Sequence, residues 1–130
     1  SLNFTEKLGS KNTVTLKDAI SFFMFALEKQ PGKFEKDISE LQKLGILKKN
    51  KKKDQGKNHL RMGFLCNMIV PYLKLDDSMM YRIFKTDRYA HRTCVASGIV
   101  RDGTSEWDKL RGEELIEIMS IVIERSGAEK

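Results

Sequence analysis

Three basic residues stand where apolar stretches open: Lys17 after Thr15-Leu16, Arg61 after His59-Leu60, and Arg111 after Lys109-Leu110. A positive side chain in the first turn of a helix opposes the helix dipole, and an anion bound nearby would offset that small cost. As chemistry, the three are cationic grips for carboxylates, phosphates or acidic sugars. As structure, they pair with Asp18, Glu113 or Glu114, or face solvent.

A second concentration joins Arg82, Arg88, Arg92 and Arg101 to Tyr81, Tyr89 and His91. Arg88 and Arg92 are four residues apart and share a helix face. Arginine beside tyrosine suits sugars, phosphates or a protein partner; the plainer account is a charged face with Tyr89 in the core. The lysines at 48, 49, 51, 52, 53 and 57 could meet a polyanion by counterion release, or simply be solvated. His91 and Cys94 lie three apart and His59 and Cys66 seven apart, which could make a zinc site only if two helices face each other. Two core cysteines, two surface histidines and no bound metal form the better account. No phosphate-binding glycine loop, nucleophile elbow or His-Glu-x-x-His occurs, so the reading is a non-enzymatic chain without a cofactor.

The 130 residues suffice for one domain with its own core, and 40% hydrophobic with 32% charged residues is a globular balance. The net charge of +6 is local, because the six lysines of 48–57 account for it. Two cysteines are too few for a disulfide scaffold, although one bridge is open to an oxidising compartment. No apolar run approaches the roughly 18 residues that span a bilayer. Ser1-Leu2-Asn3-Phe4 carries no signal-peptide pattern, so a mature or trimmed segment is expected.

The elements that must position these residues are helical. Residues 1–12 read as an extended or frayed lead-in. Thr15 with Asp18 forms a capping-box pattern ahead of a helix bearing Leu16, Ile20, Phe23 and Leu27 inward and ending at Pro31-Gly32. A helix over 34–44 ends at Gly45, followed by Ile46-Leu47. The basic loop 48–58 leads to a helix from Leu60 to about Tyr72, with Leu60, Phe64, Met68 and Tyr72 in register. A short helix over 79–84 and another from Arg88 to Ser97 follow, the latter ending at Gly98-Ile99-Val100. The last helix runs from Leu110 to about Glu124, with Leu115, Ile118, Met119 and Val122 inward. Only the tails after Gly45 and Gly98 are candidates for strand.

Leu16, Leu60 and Leu110 fall at intervals of 44 and 50, and Gly-Ile-aliphatic recurs at 45 and 98. A helix ending in Gly-Ile-aliphatic, a polar loop and a second helix opening on Leu-basic thus occurs over 34–75 and 88–124, with a half unit over 13–29. This layout resembles the S-layer homology family. The resemblance implies an all-α fold of tandem helix–loop–helix repeats packed as a small bundle, with very short strands at most. It also implies a non-catalytic module that anchors a bacterial envelope protein to anionic cell-wall polysaccharide. Carried over, the family's basic position falls on Arg61 and Arg111 and more weakly on Lys17, and its glycine on Gly45 and Gly98. The expected contacts are Lys17, Arg61 and Arg111, with Arg88, Tyr89 and Arg92 in support, on a chain located in the cell envelope behind a signal sequence. Two other classes stay open: a nucleic-acid-binding domain using the lysine loop, and an interaction or oligomerisation domain using Leu115 to Ile123.

Overall fold

Thr15 does what its place ahead of Asp18 predicts. Its Oγ1 accepts from the Asp18 backbone N–H, and its own N–H donates to the Asp18 carboxylate at 2.9 Å, which starts a helix there. The computed structural model describes residues 2–47, 58–75 and 86–128. Among them lie α1 (Leu2–Gly9), α2 (Leu16–Ala26), α3 (Phe34–Lys43), α4 (Met62–Tyr72), α5 (Asp87–Ala96) and α6 (Gly112–Ala128). The fold is an all-α small helical bundle. The lysines of 48–57, the helix expected over 79–84, Tyr81 and Arg82 lie outside the described residues.

The three apolar helices α2, α4 and α6 start together at one end, and Phe23, Tyr72 and Ser126 meet at the other. Their leading segments meet in a closed ring. Leu16 N–H donates to Asn58 O and Leu60 N–H to Val14 O; Met62 N–H donates to Asp108 O; Val14 N–H donates to Leu110 O and Gly112 N–H to Lys11 O, all at 2.7–3.0 Å. Val14, Leu60 and Leu110 are buried in the ring, as are Leu16 and Met62, and each of the first three is followed by an N-terminal flanking residue: Thr15, Arg61 and Arg111. The alignment on Leu16 is therefore two residues out for the first segment. In structural register Thr15, not Lys17, stands with Arg61 and Arg111, because the helix starts where the Asp18 cap fixes it. Arg61 and Arg111 also lie just before the first turn rather than inside it.

At the far end Tyr72 stands edge-on to Phe23 at 5.5 Å, and its hydroxyl donates to Ser126 Oγ, tying α4 to α2 and α6. Between the two ends Ile20, Phe23, Leu65, Ile69, Leu115, Met119 and Val122 are buried. Each such side chain contributes about 1.5–3 kcal/mol. Phe64 and Tyr72 are only partly buried, so the inner face of α4 is carried by Leu65, Cys66, Met68, Ile69 and Val70.

The outer helices pack one to each inner helix: α3 on α2, α5 on α4, and α1 on α6. Residues 2–9 are thus a helix and not a frayed lead-in. Leu8 is fully buried, and α1 ends so close to α6 that a Cβ on Gly112 would lie 1.6 Å from the Leu8 carbonyl oxygen.

Four helices stop in the same way. Glu28, Gly45, Lys74 and Gly98 have φ of 59°, 79°, 57° and 77°, and the next N–H folds back to a helix carbonyl at 2.8–2.9 Å. This turn ends α2 at Ala26, short of Pro31. It also makes Ile46-Leu47 and Ile99-Val100 buried turn residues instead of strands. Among the described residues the pairings of strand type are two isolated bridges in the ring, Thr15 with His59 and Arg61 with Lys109. The last helix continues past Glu124 to Ala128.

Candidate functional site

The polar stretch from Ser105 to Asp108 is folded by its own side chains. Ser105 N–H donates to the Asp108 carboxylate, Trp107 N–H to Ser105 Oγ, and Asp108 N–H to Ser105 O. The turn is then seated on the start of α4 by three successive carbonyls. Gly63 N–H binds Glu106 O at 2.9 Å, Arg61 Nη1 binds Trp107 O at 3.0 Å, and Met62 N–H binds Asp108 O at 2.7 Å. Gly63 permits the approach, since a Cβ there would fall 2.7 Å from Glu106 Cβ and 2.8 Å from Asp87 Cβ.

This seating holds the Trp107 indole in solvent, 72% exposed, beside a hollow of about 200 Å³. Asn58, His59, Arg61 and Phe64 form the wall from the α4 segment, Leu16 comes from α2, and Asp87 and Glu106 complete the lining. Asn67 Nδ2 donates to Asp87 Oδ1 at 2.8 Å, which fixes that carboxylate at the start of α5. Trp107 is thus the aromatic residue at the rim of the hollow, with Phe64 in its wall. The other lining residues offer an amide, an imidazole, a guanidinium and two carboxylates. A ligand must satisfy both signs of charge and can stack on one ring.

The ring takes part of the hydrogen-bonding capacity of the helix starts. The Asp18 carboxylate caps α2, Arg111 N–H donates to Glu114 Oε1 at 3.0 Å at the start of α6, and the first N–H groups of α4 are taken by Asp108 O and Glu106 O. Recognition of an anion at this end therefore falls more to side chains than to open helix termini.

Of the six residues singled out from the sequence, Arg61 lines this hollow. Lys17 is exposed on α2 and pairs with neither Asp18 nor the hollow; Asp18 is held by Lys11 Nζ at 2.9 Å. Arg111 is exposed at the start of α6. Arg88 is exposed on α5, and the Arg92 guanidinium lies 5.6 Å from the centre of the partly buried Tyr89 ring. The structure does not gather these α5 residues with Arg61. A second hollow of about 320 Å³, with Ile99, Ile118 and Ile121 on its floor and Arg101, Glu114 and Glu117 at its edge, lies between the end of α5 and α6.

His91 corrects the expectation of two surface histidines. It is 8% exposed, and its Nε2 lies 2.8 Å from Thr104 Oγ1, which in turn donates to Arg101 O. His59 is exposed, as expected. Cys66 and Cys94 are both buried free thiols. Sequence reasoning gave no weight to Trp107, Asp87 or Glu106. The signal was present in Ser105-x-x-Asp108, a turn pattern that holds a tryptophan away from every apolar stripe.

No helix among the described residues is long and apolar enough to cross a membrane. No protein-family model, curated protein or solved structure matches the chain.

Proposed function

We propose that this chain is a non-catalytic binding and anchoring module of a bacterial cell envelope, and that it takes a sugar unit of an acidic wall polymer at the Arg61–Trp107 hollow. The observation that carries the reading is the clamp of Arg61 on the Trp107 carbonyl, which fixes the backbone of an exposed tryptophan beside a hollow lined with residues whose side chains can hydrogen-bond. A flat aromatic face meets the C–H face of a sugar ring, and planar amide, carboxylate and guanidinium groups reach its hydroxyls. Arg61 and His59 supply attraction for an acidic substituent. Asp87 and Glu106 oppose a bare polyanion, so a hydroxyl-rich ligand with sparse negative charge suits the lining better than nucleic acid.

The test is co-sedimentation of the full chain with purified bacterial cell wall, and with wall stripped of its secondary polymers. Wild type is compared with Trp107→Ala and Arg61→Ala/Arg111→Ala. Binding that needs the polymer and drops on the order of tenfold for Trp107→Ala, the scale of one aromatic anchor, supports the reading. Equal binding to stripped wall, or no binding to either, overturns it.

A further inference from the structure

Cys66 lies at mid-helix in α4 and Cys94 near the end of α5, the most closely packed pair in the fold. Both are fully buried, on helices that pack against each other. Cys94 Sγ lies 4.0 Å from the Cys66 carbonyl oxygen, which makes the two cysteines neighbours across the seam. Nothing in the candidate site uses them, and a hydrophobic core gains no more from a thiol than from alanine or valine.

We propose that Cys66 and Cys94 close a disulfide across the α4–α5 seam when the chain folds in an oxidising compartment, and that the free-thiol form described here is its reduced state. The two thiols lose two protons and two electrons as the S–S bond forms. A small-molecule disulfide accepts them and leaves as two thiols, by way of a mixed disulfide on one cysteine. Timing follows from burial. In the folded chain the neighbouring Cys94 thiol first, and burial second, hold the Cys66 thiol well above the ordinary thiol range, so almost no attacking thiolate exists. The bond therefore forms while α4 and α5 are coming together, and the closed core then shields it from reductant.

The bridge also braces the candidate site. Asn67, next to Cys66, holds Asp87, and Gly63 one turn earlier lies against the Asp87 Cβ. A covalent tie between α4 and α5 fixes the wall that Asp87 supplies. It does not depend on what the hollow binds.

The experiment refolds the full chain from denaturant in a mixture of oxidised and reduced glutathione, then alkylates it under denaturing conditions and measures the intact mass. The expected result is a monomer with no alkylated cysteine and a proteolytic fragment joining the Cys66 and Cys94 peptides. Its Tm should exceed that of the reduced chain by roughly 10 °C. A Cys66→Ala/Cys94→Ala chain should show no Tm response to reductant. Two alkylated cysteines in a chain of native helix content, or a covalent dimer as the main product, overturns the proposal. If refolding yields no helical product, the folded reduced chain is held in the same mixture with mild urea. An intramolecular bridge there supports the proposal, and two free thiols overturn it.

Discussion

Arg61 Nη1 donates to the carbonyl oxygen of Trp107, 46 positions further along the chain, at 3.0 Å. The bond joins the start of one central helix to the turn that precedes the next, so one side chain both lines the hollow and fixes the backbone that carries the exposed indole. Arg61→Ala removes both contributions, whereas Arg61→Lys keeps the charge and loses the forked geometry. We expect Arg61→Lys to bind wall polymer more weakly than wild type and Arg61→Ala more weakly still, by co-sedimentation. Trp107 is the chain's one tryptophan, so its emission should lie near that of indole in water in the native chain and shift when polymer binds. A blue native emission would contradict the exposed placement.

Gly112 allows the end of α1 to dock on α6. With a Cβ placed 1.6 Å from the Leu8 carbonyl oxygen, Gly112→Ala must push α1 away, and we expect a loss of about 3 kcal/mol or more in urea unfolding. Gly63→Ala meets the Cβ atoms of Glu106 and Asp87 at 2.7 and 2.8 Å, which move only with their backbones, so it too should destabilise the fold, by about 1–3 kcal/mol.

The four left-handed helix ends predict opposite signs for opposite exchanges. Glu28→Gly and Lys74→Gly relieve a Cβ from a conformation that costs about 1 kcal/mol, so each should stabilise the fold by about that much. Gly45→Ala and Gly98→Ala should each destabilise it similarly. Thermal unfolding of the four variants checks this directly; a stabilising Gly45→Ala would contradict the turn.

Cys66 makes the reduced chain sensitive to alkali. Its thiol is held up by the neighbouring Cys94 thiol and by burial, so the native state keeps a proton that the unfolded chain gives up. The full contribution is present below the ordinary thiol range. It is lost as pH rises above about 9, by about 1.4 kcal/mol for each pH unit. Urea unfolding of the reduced chain at pH 8, 9 and 10 should show this slope, and Cys66→Ala should flatten it.

What the sequence made legible was local. The Thr15–Asp18 cap, the glycine stops at 45 and 98, and the inward set Leu115, Ile118, Met119 and Val122 depend on neighbours within one turn. All of them appear as their spacing suggests. The ring register was not legible, because the repeated letters Leu-basic are shared by positions that the caps place two residues apart. Helix α1 was missed because α6, more than a hundred positions away, supplies its packing partner. Glu28 and Lys74 hide the turn they make, since neither residue type advertises a positive φ. The hollow was legible only at Arg61. Asp87, Glu106 and Trp107 reach it by tertiary packing, and no spacing in the chain relates them to His59.

The pairing of α1 with α6 sets an order on assembly. The pairs α2–α3 and α4–α5 join helices near in sequence, but the third seam needs Lys11 to find Gly112 and Val14 to find Leu110, about a hundred positions apart, at a higher loop-closure cost. We therefore expect closure of the ring to come late in folding. A defect at Gly112 would register chiefly as faster unfolding and leave the early rate of collapse nearly unchanged.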